Sequence, residues 1–291
     1  MLDKFTGKLL SGALCGALLV LSVSCARHGE ERVLVVGSTS VQPFAEKLAH
    51  EFHEFRRQRP EIRVRVDVQG GGSTAGIHVV REGACEIGTS SRELTPDERE
   101  GLQVKTIARD GLAVIVHRDN PVEDLTHEQV RAIFAGSIRD WSEVGGLAGP
   151  IYPVCREDGS GTYGVFSDLV MRGQRPSPRT LVFNSNGAVR AAVSSGLRFI
   201  GYISLGFVDE RVKAVRIDGV PATHQMIVSG AYPFVRPFYF LTLGEPNEAS
   251  RQFIEFVLSD QGQRLLEQEG LVRAQLEIPE HFHTISEPTG P

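Results

Sequence analysis

Three segments of the chain set glycine beside hydroxyl residues directly after a short extended run: Gly37-Ser38-Thr39-Ser40, Gly70-Gly71-Gly72-Ser73-Thr74 and Gly159-Ser160-Gly161-Thr162. Each opens a stretch with helical periodicity. A helix N-terminus leaves backbone N–H groups without intrahelical acceptors and carries the positive end of the helix dipole, so such a loop is a natural cradle for an anion. Ser and Thr are also ordinary N-caps, and any one of these loops is explained by structure alone. Three in one chain, the last preceded by Arg156, point instead to a ligand. A guanidinium is a planar fork of donors, and beside hydroxyls it matches a tetrahedral oxyanion.

What the loops lack narrows the chemistry. None has the Lys that precedes the last Ser or Thr of a nucleotide-binding P-loop, and no Ser sits in a Gly-x-Ser-x-Gly elbow. His50 and His53, three apart on one helix, and His281 and His283 near the end of the chain read as surface histidines, because no His-Glu-x-x-His or Cys cluster accompanies them. Neither a metal nor a cofactor is expected, and an exported phosphatase would lack its nucleophile or metal cluster. With 31 Lys plus Arg against 36 Asp plus Glu over 291 residues, the net charge of −5 excludes a polybasic nucleic-acid binder. The 41% apolar content suffices for a sizeable core.

Lys4 and Lys8 precede an apolar run, Leu9 to Val23, of signal-peptide rather than membrane-spanning length. It ends in Leu21-Ser22-Val23-Ser24-Cys25, which resembles a bacterial lipoprotein cleavage site with Cys25 as the lipidated residue. An ordinary secretory signal cut nearby gives the same compartment, the periplasmic face of the cell envelope. That leaves Cys85 and Cys155 in the folded part. With no CxxC spacing, and placed in different lobes by the reading below, they are expected to be buried free thiols rather than a disulfide.

From Arg32 onward strand and helix alternate. Val33 to Val36 reads as a buried strand, and Val41, Phe44, Leu48, Phe52 and Phe55 fall on one helical face. Ile62 to Val68 alternates with period two, and a strand near Glu86 to Gly88, another ending near Ala108 and a third from Gly111 to His117 follow. Thr126-x-x-Gln129 marks a capped helix start. The alternation predicts an α/β fold with a mainly parallel sheet and two lobes. The expected division is 1–24 signal peptide, 25–31 tether, 32–113 with 220–274 as the first lobe, 114–219 as the second, and 275–291 as a loose tail.

The order of the motifs is itself distinctive. The first two glycine loops, Ile87-Gly88-Thr89-Ser90-Ser91-Arg92, Ala108-Arg109-Asp110-Gly111, and Arg156-Glu157-Asp158-Gly159-Ser160-Gly161-Thr162 together resemble the phosphate-binding protein of bacterial phosphate ABC importers. Ile133-Phe134-Ala135-Gly136 with Trp141, and Gly201-Tyr202-Ile203-Ser204, extend the similarity from about Val33 to Ala274. The resemblance implies a two-lobed type II periplasmic-binding-protein fold closing on one phosphate ion, with permease subunits of an ABC importer and, through Cys25, a membrane as partners of a monomer. It implies phosphate contacts from Thr39, Ser40, Ser73, Arg156, Ser160, Gly161 and Thr162, with Asp158 orienting the Arg156 guanidinium or serving as a plain helix-start carboxylate.

One position departs from the family pattern. Ser91 stands where better-known members place an Asp that accepts the ligand's proton and so rejects sulfate. Asp110 is the candidate substitute, and the competing reading makes it an ion-pair partner of Arg109 or Arg92. A binder of sulfate, molybdate or tungstate, and a phosphate sensor or adhesin, remain as alternative functions.

Overall fold

The computed structural model describes residues 31–59 and 63–276. Cys25, the apolar run before it and the tail beyond residue 276 lie outside the described residues, as does Pro60.

The first lobe begins as the hydrophobic pattern dictates. β1 (Glu31–Gly37) leads into α1 (Gln42–Arg57), whose Phe44, Leu48 and Phe52 are buried. β2 (Val64–Gly70) lies parallel to β1, and α2 (Ser73–Arg81) returns the chain to β3 (Ile87–Ser90) on the other side of β1. After the single turn α3 (Pro96–Arg99) comes β4 (Leu102–His117), one strand of 16 residues. Sequence reading breaks this strand in two at Arg109-Asp110-Gly111; the polar residues are carried inside a continuous strand instead.

The second lobe contains the short β5 (Asp124–Leu125) and α4 (His127–Ala135), which has the Thr126–Gln129 capping box expected of it. β6 (Tyr152–Arg156), α5 (Gly161–Phe166), β7 (Leu181–Phe183), α6 (Asn186–Ser194) and β8 (Phe199–Ser204) repeat the strand and helix alternation. The ring of Tyr202 on β8 stacks on Phe166 of α5 at 3.8 Å between centroids, which fixes the short helix against the sheet.

β9 (Val212–Ala214), β10 (Arg216–Ile217) and α7 (His224–Val228) follow, and then β11 (Val235–Leu243) crosses back to the first lobe. There α8 (Glu248–Leu258) and α9 (Asp260–Gln268) pack on α1, and β12 (Val272–Arg273) closes on β4. Ile227, Tyr232 and Phe234 are buried in one core cluster with Phe134, Trp141 and Tyr202, a cluster that also takes in Leu112 and Val272.

The sheet is mixed rather than mainly parallel. Its order is β2-β1-β3-β11-β4-β8-β6-β7, and both neighbours of β4 on this path, β11 and β8, run antiparallel to it. The outer pairs, β1 with β2 and β3 and β6 with β7 and β8, are the parallel ones. Alternation along the chain reports those local units; it carries no signal for strands that cross between lobes. Cys85 and Cys155 are buried free thiols, as expected, and burial pushes them up to about 11 and about 12.

Helix α2 lies directly on β1 and β3 because Gly76 has no side chain: a Cβ there would stand 2.7 Å from Gly37 Cα and from the carbonyl oxygens of Val36 and Thr89. These are backbone atoms that cannot rotate away. Gly76→Ala is therefore expected to destabilise the protein by about 3 kcal/mol through overpacking. Urea denaturation measures this, and a loss under about 0.5 kcal/mol would show that α2 moves freely off the sheet.

Candidate functional site

The three glycine loops meet where the lobes face each other. In the first, Ser38 builds the turn, its carbonyl accepting from the N–H groups of Val41 and Gln42 and its hydroxyl from that of Ser40. The second binds the first through Gly71 and Gly72 N–H groups that both donate to Gly37 O. It touches the third through Thr74 N–H, which donates to Gly159 O at 3.2 Å across the lobes. This approach needs Gly72, with φ +92°, because a Cβ would lie 2.9 Å from Gly159 O. In the third loop the Ser160 hydroxyl caps α5, accepting from Thr162 and Tyr163 N–H groups. The capping role and a contribution from its O–H to a ligand are compatible.

Hydroxyls from both lobes line the meeting point. Ser40 Oγ and Thr162 Oγ1 are 2.8 Å apart, and Asn186 Nδ2 donates to Ser40 Oγ at 2.9 Å. Ser73 Oγ lies 3.4 Å from Ser91 Oγ and accepts from the Ser91 N–H; Ser38 Oγ donates to Ser91 Oγ at 2.9 Å. Gly161 is hemmed in by this cluster, since a Cβ would meet Ser73 Oγ at 2.2 Å and Ser91 Oγ at 2.6 Å. Except for Thr39, these hydroxyl side chains are buried.

Two guanidinium groups, both with fully buried side chains, stand among the hydroxyls. Arg156, at the end of β6, donates through Nη2 to Thr39 Oγ1 at 3.0 Å, tying the second lobe to the first. Its Nε and Nη2 fork onto Glu157 at 3.1 and 2.9 Å and reach the Phe183 and Asn184 carbonyls. Nη1 is buried and finds no acceptor in the protein. Asp158 is exposed, so the carboxylate that orients this guanidinium is Glu157, one residue nearer. Alternation on a strand end favours the second residue on; the loop turns sharply enough that the first one bends back.

Arg236 is the second cation, and sequence reading passes over it. It sits on β11 directly across from Asp110 on β4 in the antiparallel register. Nε donates to Asp110 Oδ2 at 2.9 Å, Nη2 lies 2.8 Å from the same oxygen, and Nη1 donates to Thr162 Oγ1 at 2.8 Å and approaches Ser91 Oγ at 3.5 Å. The partner of Asp110 is thus neither Arg109 nor Arg92. Ser204 Oγ donates to Asp110 Oδ1 at 2.9 Å. Burial pushes the Asp110 carboxyl above its ordinary range, against the charge and hydrogen bonds of Arg236. Burial likewise pulls the Arg236 guanidinium down, against Asp110. Arginine does not surrender its proton in a protein, so its charge keeps the carboxylate ionised.

The visible trace of Arg236 in the sequence is a lone charge inside the apolar run Phe234 to Leu241. Buried charges must be paired, so an isolated Arg in a core strand demands a partner carboxylate. Asn186 and Ser204 carry no such signal, being an ordinary first helical residue and an ordinary strand-end residue. Among the described residues no group of three His, Cys, Asp or Glu side chains could hold a metal, and no helix is long and apolar enough to cross a membrane.

Two α/β lobes joined by crossing strands, with a cluster of buried donors where they meet, define a type II periplasmic binding protein. The model of the PBP superfamily domain matches residues 25–261. The chain is 28% identical over 279 residues to the phosphate-binding protein PstS of Bacillus subtilis (strain 168), covering 88% of this chain and 90% of that one. A crystal structure from Clostridium perfringens, described as a phosphate ABC transporter substrate-binding protein with bound phosphate, is 38% identical with a TM-score of 0.79, over 84% of this chain and 99% of that one. An ABC-type phosphate transport receptor from Vibrio cholerae is 36% identical with a TM-score of 0.69, over 82% and 99%. The chain belongs to the PBP superfamily, and within it is similar to the PstS phosphate-binding proteins.

A third ion pair borders the cleft. Arg92 forks onto Glu98 at 2.7 and 2.8 Å and donates to Thr74 Oγ1, and its Cδ lies where a Cβ on Gly164 of the other lobe would come within 2.9 Å. The hydrogen bond from Arg92, against burial and with help from Thr95 N–H, holds the Glu98 carboxyl below the ordinary glutamate range. A depressed carboxyl stabilises the fold above its unfolded pKa, about 4.3, and that stabilisation is lost as pH falls through the folded value. Thermal melts of wild type and Glu98→Gln should therefore differ most near neutral pH and converge in acid. A gap independent of pH would mean that the pair contributes nothing to acid sensitivity.

Proposed function

We propose that this chain is an exported substrate-binding protein that captures inorganic phosphate between its lobes and delivers it to the permease subunits of an ABC importer. It performs no chemistry on the ion. The observation that carries this reading is the buried Arg156 guanidinium, held by Glu157 and two carbonyls with Nη1 left without a protein acceptor, at the place where hydroxyls of three loops converge. A buried unpaired donor on a cation is costly, and an anionic oxygen is the partner that relieves the cost most fully. Thr39, Ser40, Ser73, Ser160, Gly161 and Thr162 surround the ion in this reading, and closing the lobes removes water and strengthens each charge-assisted bond. The named binding and transport roles of the relatives agree with it.

Calorimetric titration of phosphate-stripped protein with phosphate, sulfate and molybdate tests the capture directly. Arg156→Ala should weaken phosphate on the order of 100-fold, since removing a charge-assisted donor in a dry site loses bonds and strands anion charge. Binding within twofold of wild type would remove Arg156 from the site.

The reading includes a lipid anchor on Cys25 at the periplasmic face of the envelope and a monomeric protein. Support for the anchor is the sequence Leu21-Ser22-Val23-Ser24-Cys25 after an apolar run. Expressed in a bacterium, Cys25→Ser should lose the acyl mass and leave the membrane fraction. Unchanged mass and fractionation would refute the anchor while leaving phosphate capture standing.

A further inference from the structure

Asp110 is the one fully buried carboxylate among the described residues, and it lies in the layer directly behind the candidate site. Its acceptor capacity is nearly exhausted inside the protein. A carboxylate has about four lone-pair positions. Oδ1 accepts from Ser204 Oγ, Oδ2 accepts from Arg236 Nε, the Leu205 N–H donates to the same carboxylate, and Arg236 Nη2 stands 2.8 Å from Oδ2.

The guanidinium of Arg236 also separates the carboxylate from the hydroxyl cluster. Its Nε side faces Asp110, while Nη1 on the other side donates to Thr162 Oγ1 and approaches Ser91 Oγ. Nη2, although close to Oδ2, is not aligned for a hydrogen bond and retains donor capacity in a fully buried place. The Phe238 ring, 5.3 Å from the guanidinium carbon, covers the same group with an apolar face. What the cluster meets on this side is a cation with its fork held fixed, and no carboxylate.

We propose that Arg236 is a second anion-holding guanidinium, that Asp110 acts on the ligand only by positioning it, and that the site selects tetrahedral oxyanions by charge and size rather than by the ligand's proton. This rests on the capture reading above. Phosphate carries an ionisable proton near neutral pH and sulfate does not, so a site rejects sulfate strongly only where an acceptor with no donor of its own faces the anion. Here the groups facing it are guanidinium forks, which donate, and Ser and Thr hydroxyls, which donate or accept equally well. A ligand proton is then neither required nor penalised.

Calorimetric competition between phosphate and sulfate, on wild type, Asp110→Asn and Arg236→Gln, decides the matter. Wild type should bind sulfate within about 100-fold of phosphate, because hydroxyl neighbours impose no like-charge penalty. Asp110→Asn should weaken both anions by a similar factor and leave their ratio unchanged, and Arg236→Gln should weaken both at least tenfold, as expected for loss of a charge-assisted donor. Melting temperatures without anion separate these effects from unfolding, and if either variant fails to fold, the wild-type ratio alone still decides. A wild-type preference for phosphate beyond about 100-fold, a gain in sulfate over phosphate in Asp110→Asn, or unchanged binding in Arg236→Gln would each overturn the proposal. Failure of wild type to bind either anion would instead refute the capture reading.

Discussion

The constraint on which the molecule turns is the removal of two arginine side chains from water. An ion taken into a protein interior loses several kcal/mol of solvation even after relaxation, and recovers it only through close partners of good geometry. Arg156 and Arg236 each obtain a carboxylate, Glu157 and Asp110, and further acceptors from side chains or carbonyls. The pairing differs in kind. Glu157 is about one third exposed and part of its charge is screened, whereas Asp110 is wholly buried and has its donors fixed by two strands. Hydrogen bonds to charged groups contribute roughly 1.5–3 kcal/mol each, which makes these networks strong enough to set the local backbone.

That demand explains the crossing strands. Asp110 and Arg236 are cross-strand neighbours only because β11 pairs with β4 in one register, and a slip of β11 by one residue would turn Arg236 to the other face, away from Asp110. The register shifts at Phe238 and Tyr239, a bulge next to Pro237, which lacks the N–H that a regular ladder would use. Because β4 continues into the second lobe, where it pairs with β8, the same strand also brings Ser204 to Asp110.

The parts of this architecture that local pattern controls are legible in the sequence. The glycine loops, the face of α1, the capping box before α4 and the buried thiols follow from spacing and residue type. The parts that depend on long-range pairing are not. Nothing near Arg109-Asp110-Gly111 announces that the strand runs on, since polar residues there look like a turn until Arg236, 126 positions away, is seen to neutralise one of them. The lobe to which residues 220–234 belong is left open by the sequence for a similar reason. Ile227, Tyr232 and Phe234 are apolar under either arrangement, and only the fold decides which core they fill. Glu157 and Asp158 are equally plausible from sequence, because the direction of a side chain at a strand end depends on the loop that follows.

Pairing each arginine with its own carboxylate also bears on reversibility. A cleft with two unpaired cations would attract an anion strongly and hold it after the lobes parted, since Coulomb attraction persists over a Debye length of about 8 Å at physiological salt. Here the two positive charges are already balanced within the protein, so little net charge remains to retain the ion at a distance. Attraction is concentrated in short-range, directional donors, the guanidinium forks and the Ser and Thr hydroxyls, and these act only when both lobes contribute. Thr39 with Arg156, Ser40 with Thr162, and Thr162 with Arg236 are contacts of this kind. In the proposed capture cycle, parting the lobes would break them together and readmit water to the same groups. Under the proposed capture function, which requires the ligand to be given up again, this arrangement serves better than a larger excess of positive charge, and the formal net charge of −5 is no obstacle to it.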